Sequence, residues 1–161
     1  MPTAANRPAN PDAVLASLGH VLPAAPKPVA AYIPWRRSGN LLYISGQIPI
    51  VEGKPIAVGR VPSQVSMELA QRCSAQCVLN GLAVAKAAAG SLDAIARVIR
   101  VGVFVACDQD FGDQPKVANA ASDLLVAVFG DDGQHARAAA GAPALPLHVP
   151  VEIEFLFELV G

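Results

Sequence analysis

Apolar and polar residues alternate most regularly at the end of the chain, in residues 151–160. Every odd-numbered position of Val151–Leu159 is apolar, whereas glutamates occupy three of the four even-numbered positions. Successive side chains of a strand point to opposite faces of a sheet, so this pattern predicts a strand. Its apolar row is expected to pack under helices. Its other row leaves three carboxylates and Leu156 on the opposite face.

A helical spacing of apolar residues marks two longer segments. The first is predicted to begin at Pro62 and Ser63 and to end at Gly90. The second covers about residues 115–129 and ends at Gly130. Glycine is a common residue just after a helix, because it adopts the backbone conformation that ends one.

Other segments have the composition of strands and hairpins. Strands are predicted for residues 31–35, 41–45, 95–106 and 135–140, with residues 36–40 as a turn and residues 51–58 as a loop or short edge hairpin. The order of elements predicts an α+β fold in which two helices pack on one face of a mixed sheet. The other face is too apolar to meet water everywhere, and self-association in a closed ring would cover it.

Composition narrows the class of protein. Of the 161 residues, 53% are hydrophobic and only 16% are charged, and the formal net charge is −1. Disordered chains combine low hydrophobicity with high net charge, so this chain is predicted to fold. The lack of a basic excess argues against nucleic-acid binding, and no apolar run approaches the roughly 18 residues that cross a membrane. An odd number of cysteines, three, indicates reduced thiols and a cytoplasmic location.

Cys73 and Cys77 lie four residues apart on the first long helix and offer two candidate metal ligands. Further ligands are missing, because the three histidines are isolated in the sequence. Packing of the thiols in the core is therefore favoured over a metal site, and no metal is predicted. Cys107, at the end of a predicted buried strand, is interpreted in the same way.

Several short motifs occur in a fixed order along the chain: Ser-Gly-Gln-Ile-Pro at residues 45–49, the helix end at 123–130, Ala-Arg at 136–137, Leu-Pro at 145–146 and Val-Glu-Ile-Glu at 151–154. Together they resemble the RidA/YjgF family of reactive intermediate deaminases over roughly residues 30–160. The resemblance implies a chorismate-mutase-like fold and a homotrimer around the uncovered sheet face, with three clefts between neighbouring subunits. It leaves residues 1–28 as an N-terminal extension, with a short helix and a Pro-rich linker, before a single domain at residues 29–161.

The resemblance also implies an activity. Members of the family hydrolyse short-lived enamines and imines, such as 2-aminoacrylate, to 2-oxo acids and ammonia, with no metal or organic cofactor. The implied partners are other copies of this chain and a small metabolite that carries a carboxylate. One alternative is binding of a 2-oxo acid or amino acid without turnover. Endoribonuclease or translation-inhibitor activity ranks lower, because histidines are scattered and aromatic residues make up only 5% of the chain.

Individual site residues follow from the same resemblance. Arg137 corresponds to the arginine that binds the substrate carboxylate, and Glu152 corresponds to the glutamate that acts on water. Tyr32, Ser45 and Gly46 correspond to residues that line the cleft.

Two positions depart from the family pattern. Ala139 stands where a cysteine is common, which keeps binding without turnover open. An asparagine that lines the cleft maps onto either Asn119 or Ser122, because the loop before the second helix is longer here.

The residue types suit these roles. A guanidinium can form two parallel hydrogen bonds with a carboxylate, and small residues around Arg137 leave room for a ligand. The alternative for Arg137 is a salt bridge, with Asp131 or with a neighbouring subunit. Salt bridges across an interface are likewise the alternative for Glu154 and Glu158. Arg137 and Glu152 are both expected to point away from the helices, toward a neighbouring subunit.

Overall fold

The computed structural model describes residues 6–25 and 31–161, so parts of the predicted extension and of its linker lie outside the described residues. The helices are α1 (Pro11–Ser17), α2 (Met67–Ala89) and α3 (Gln114–Phe129). The strands are β1 (Trp35–Ser38), β2 (Leu41–Gln47), β3 (Ile50–Val51), β4 (Lys54–Pro55), β5 (Ile95–Ala106), β6 (Ala136–Ala142) and β7 (Val151–Leu159). Short 3-10 turns occupy Leu92–Ala94, Gly130–Gly133 and Pro146–His148. None of the helices in this part of the chain is long and apolar enough to cross a membrane.

Five strands form the main sheet in the order β1-β2-β7-β5-β6. β5 and β6 are parallel, and the other neighbouring pairs are antiparallel. β3 and β4 pair with each other in a small hairpin beside the main sheet. This mixed sheet, with its helices, confirms the predicted α+β fold.

The core lies between the sheet and the two long helices. The five apolar residues at the odd-numbered positions of β7 are at most 4% exposed, which confirms the face predicted from the alternating pattern. Phe155 lies so close to α2 that a β-carbon at Gly81 would collide with its ring. The glutamates of β7 lie on the opposite face, which no helix among the described residues covers.

The first long helix begins later than predicted. Ser66 caps α2 by accepting a hydrogen bond from the backbone N–H of Leu69 over 3.2 Å, so Pro62 and Ser63 precede the helix. The predicted end at Gly90 is confirmed, with a φ of 86°.

The first hairpin also differs from the prediction. β1 begins at Trp35, so Arg36 and Arg37 lie within a strand and not in the turn. The pairing of strand residues continues as far as Ser38, which leaves Gly39 and one further residue to reverse the chain. Gly39 has a φ of 57°, a conformation that two-residue hairpin turns require and glycine adopts readily.

The amino-terminal segment packs against the end of α3. Asn10 caps α1, and Leu15 is buried in the main core. Arg7 lies 3.7 Å from a carboxylate oxygen of Asp132 and 5.4 Å from the ring centroid of Phe129. These contacts anchor the described part of the segment to the turn that precedes β6.

Candidate functional site

A cavity of about 560 Å³ opens beside the end of β2. Three of the predicted cleft residues, Tyr32, Ser45 and Gly46, lie in its wall, and the β3–β4 hairpin closes one side. The sequence motif at residues 45–49 thus forms part of a real concave surface.

Ser45 and Gly46 lie at an irregularity in β2. The register between β2 and β7 shifts at this point, so the two residues leave the regular ladder of hydrogen bonds. The Ser45 hydroxyl donates to the backbone oxygen of Ile33 over 2.8 Å, and its backbone N–H donates to that of Pro34 over 2.9 Å. These bonds hold the segment that carries Tyr32 beside the cavity.

Gly46 brings the backbone of β2 against the side chain of Glu152. A β-carbon at Gly46 would overlap Oε1 of the Glu152 carboxylate, so only glycine allows this close approach. Glu152 is half-buried. Its burial, and to a smaller extent the charge of Glu154, raise the pKa of this carboxyl above its ordinary value.

The glutamates of β7 differ in their partners. Glu154 lies 2.8 Å from Nη1 of Arg100, and Glu158 lies 2.9 Å from Nε of Arg97. Both therefore form salt bridges within the sheet of one chain. No ion pair of Glu152 occurs among the described residues. Glu152 is the carboxylate of this row that remains available for chemistry.

Two buried polar residues brace the cavity, and sequence reasoning did not assign them a role. The Asn80 amide donates to the backbone oxygens of Ile48 (2.9 Å) and Ile50 (3.2 Å), and it accepts from Gln76. The Gln47 amide donates to the backbone oxygen of Ser45 over 2.8 Å. A polar residue on the apolar face of a helix, as at Asn80, was the available signal.

Arg137 lies on β6, where α3 supplies its hydrogen-bond partners. Its Nη1 donates to Oδ1 of Asn119 and to Oγ of Ser122, both over 3.0 Å. Both residues that compete for the cleft position therefore contact the arginine. The edge formed by Nε and Nη2 has no partner among the described residues, so it can take a carboxylate. Ala139, two residues along the strand, packs against the core.

The expectation that both side chains point away from the helices is wrong for Arg137 and correct for Glu152. Arg137 is in register with Val101, and Val101 is in register with Phe155 of the core row. Arg137 is therefore on the helix side of the sheet, at its edge. Glu152 is in register with Phe104 on the other side. The suggested salt bridge with Asp131 is also absent among the described residues.

Behind Arg137, the hydrogen bonds continue to a histidine. Oγ of Ser122 lies 3.0 Å from Nε2 of His135, and Nδ1 of His135 lies 2.7 Å from the backbone oxygen of Gly133. Burial lowers the pKa of His135, the charge of Arg137 acts in the same direction, and the bond to Gly133 opposes them. Burial and the charge of Arg137 thus favour the neutral imidazole over the imidazolium.

The two thiols of α2 are core residues, as predicted. Cys73 and Cys77 are completely buried. Burial raises the pKa of Cys73 to about 11, and it raises the pKa of Cys77 well above its ordinary value. Cys107 is buried as well. Within residues 6–25 and 31–161, no three His, Cys, Asp or Glu side chains are grouped as metal ligands.

The predicted site residues therefore fall into two groups. The cavity half-site consists of Tyr32, Ser45, Gly46 and Glu152. The arginine half-site consists of Asn119, Ser122, Arg137 and Ala139. β7 and β5 lie between β2 and β6, which at the usual strand spacing separates these strands by roughly 14 Å. One chain alone does not bring the eight residues into one cleft.

Comparisons with known proteins agree with this fold. A family model described as "YjgF/chorismate_mutase-like, putative endoribonuclease" matches residues 12–159. Protein TCP17 of Trypanosoma cruzi is 38% identical over 146 residues, which cover 90% of this chain and 91% of that protein.

Two solved structures extend over nearly the whole chain. The protein Atu1372 of Agrobacterium tumefaciens, of unknown function, is 43% identical, with a TM-score of 0.88 over 93% of this chain and 92% of its own. A candidate endoribonuclease of Shewanella oneidensis is 29% identical, with a TM-score of 0.89 over 93% of this chain and 99% of its own.

The mixed sheet, with two long helices on one face, is thus of the YjgF/chorismate-mutase-like class. The chain belongs to the YjgF/RidA family, as its sequence motifs predict.

Proposed function

We propose that the protein is a hydrolytic deaminase that converts reactive 2-imino acids, and the enamines that give rise to them, to 2-oxo acids and ammonia. The observation that carries this proposal is the division of the site. The arginine half-site presents a guanidinium with a free edge. The cavity half-site presents a half-buried carboxylate beside an open cavity. The two become one site when the arginine half-site of one subunit meets the cavity half-site of the next.

The uncovered face of the sheet supports the assembly that this requires. Tyr43 and Phe104 are 46% and 38% exposed on this face, and Leu156 lies on it in register with Tyr43. Large apolar side chains that are exposed on one face favour burial of that face between subunits. A closed ring of three copies would cover the face and form three equivalent clefts.

Sedimentation equilibrium tests the assembly. We expect a mass of about 50 kDa, three copies of the 16.6-kDa chain, at micromolar concentration. A monomer under these conditions would contradict both the homotrimer and the shared cleft.

In the proposed reaction, Arg137 binds the substrate carboxylate through parallel hydrogen bonds from Nε and Nη2. Water attacks the carbon of the protonated imine, and the proton that this water loses passes to Glu152. Glu152 then returns the proton to the nitrogen of the resulting carbinolamine. The C–N bond breaks, ammonia leaves, and the remaining hydroxyl proton is released as the carbonyl forms. A raised pKa suits Glu152 for this role, since it makes the carboxylate a stronger base.

Binding of a 2-oxo acid without turnover is the second candidate function. It is favoured by Ala139, which packs against the core and offers no polar group at a position where the resembled family commonly has a cysteine. Endoribonuclease activity is a weaker proposal. His135 is engaged with Ser122 and Gly133, and His148 lies in a separate pocket, so the two do not form an acid–base pair.

A turnover assay separates these functions. Imino acids are generated in situ, and formation of the 2-oxo acid is followed with the wild-type protein and with Arg137→Ala. We expect the wild type to accelerate formation and the variant to lose most of that acceleration. A wild type that binds pyruvate but gives no acceleration would be a binding protein. Equal acceleration by both proteins would contradict the assignment of the site.

A further inference from the structure

We propose that His135 is a positioning residue for Arg137, acting through the hydroxyl of Ser122. In this role His135 makes the Ser122 oxygen an acceptor for Nη1 and so keeps the Nε–Nη2 edge of the guanidinium free for a carboxylate. The inference rests on the proposed function only in the identity of that ligand, because the arrangement itself is present in the chain without one.

The donor and the acceptor of each hydrogen bond can be assigned in turn, starting from Gly133. The backbone oxygen of Gly133 can only accept, so Nδ1 of His135, at 2.7 Å, must carry a proton. A neutral imidazole then has a lone pair on Nε2. Nε2 lies 3.0 Å from Oγ of Ser122, so the hydroxyl donates its proton there. The lone pairs of the same oxygen remain for Nη1 of Arg137.

The guanidinium is held by two acceptors at one nitrogen. Nη1 has two protons, and Oδ1 of Asn119 and Oγ of Ser122 take one each at 3.0 Å. Two fixed acceptors define the plane of the guanidinium, whereas one acceptor would leave it free to turn. The contact from Ser122 therefore decides the direction of the ligand-binding edge.

The charges around His135 favour its neutral form. Burial favours the neutral ring most, and the charge of Arg137, two residues further along the chain on β6, acts in the same direction. Asp131 and Asp132, in the adjacent turn, already receive the backbone N–H of Asn6 and the side chain of Arg7. Asp123, next to Ser122 on α3, is exposed, and Arg100 on β5 pairs with Glu154 on the other face.

The first test uses the protein without ligand. Nitrogen-15 NMR of the histidine rings should find the proton of His135 on Nδ1 at pH 7. In the same protein, the two Nη1 protons of Arg137 should give separate signals and exchange slowly with water. His135→Phe keeps a ring but removes both nitrogens, so it should speed that exchange at least severalfold. His135→Gln restores an acceptor and should rescue part of the order. His148→Asn, in a separate pocket, is the matched control. A proton on Nε2 of His135 in the wild type would overturn the proposal.

The second test is a double-mutant cycle on the dissociation constant for pyruvate. His135→Phe and Ser122→Ala should each weaken binding roughly tenfold, because each disturbs a hydrogen bond to a charged group. The double variant should bind like Ser122→Ala alone, since His135 acts through that hydroxyl. Multiplication of the two effects would overturn the inference. A wild type with an ordered Arg137 that binds no pyruvate would support the positioning role and contradict the proposed function.

Discussion

The two half-sites differ in the partners that the same chain supplies to their charged side chains. Arg137 donates to Asn119 and Ser122, and the contacts continue to His135. Glu152, by contrast, is half-buried, has a raised pKa and forms no ion pair among the described residues. An oriented cation needs little rearrangement when an anion arrives, and a carboxylate kept from cations keeps its basicity. The comparison supports the proposal that one half-site binds the substrate and the other reacts with it.

The largest expected effect comes from removing the base. Glu152→Gln keeps the shape of the side chain but cannot take a proton, so we expect turnover of imino acids to fall about 100-fold or more. The dissociation constant for pyruvate should stay within about threefold of the wild-type value, because the arginine half-site binds the carboxylate of pyruvate. Steady-state kinetics and calorimetric titration measure the two quantities. Unchanged turnover would show that Glu152 is not the base.

The second expected effect concerns binding. Arg137→Ala removes a charge-assisted pair and should weaken pyruvate binding by roughly 1.5–3 kcal/mol. Arg137→Lys should recover only part of this, since an ammonium cannot present two parallel donors. Asn119 and Ser122 are unchanged in both variants, so each variant differs from the wild type only in the side chain at position 137. Equal binding by Arg137→Lys and the wild type would contradict the bidentate contact.

The sequence was sufficient where one face of an element is clearly apolar. The strand at Ile95–Ala106 is found with its predicted bounds, and the alternating row of β7 is buried as expected. These patterns reflect burial, which the sequence records directly.

The direction of Arg137 could not be obtained in the same way. β6 is composed of alanine and glycine around this one arginine, so it has no apolar row that would define its faces. Its orientation is set by parallel pairing with β5, where Arg137 meets Val101. The bracing role of Asn80 was missed for a related reason. A polar residue on an apolar helix face was the one signal, but it does not name the partners, which are the backbone oxygens of Ile48 and Ile50.

A smaller loss of turnover should follow when the Glu152 carboxylate is displaced but not removed. In Gly46→Ala the new β-carbon displaces the Glu152 carboxylate, and we expect turnover to fall about tenfold because the base is misplaced. Gly102→Ala is the matched control, because its β-carbon would crowd Glu154 in the same manner. That control should retain turnover, provided that sedimentation shows an unchanged assembly. Equal losses in both variants would mean that crowding acts on the sheet and not on the base.

The smallest expected effect is on stability, and it has opposite signs for two glutamates of one strand. The folded chain raises the pKa of Glu152, so it holds that proton more tightly than the unfolded chain does. Stability is therefore lost as pH rises from the ordinary value of 4.5 through the raised pKa. Glu152→Gln has no such charge to bury, so it should gain stability relative to the wild type as the pH rises above 4.5.

Glu154→Gln provides the contrast, since it removes a partly exposed ion pair with Arg100 and should lose about 0.2–1 kcal/mol near pH 7. Urea unfolding at several pH values, at one fixed protein concentration, measures both differences. If Glu152→Gln also lost stability as the pH rose, a cation of a neighbouring subunit would have to pair with Glu152 in the assembly. Glu152 of the cavity half-site would then have a partner, as Arg137 of the arginine half-site does, and the difference between the two half-sites would disappear.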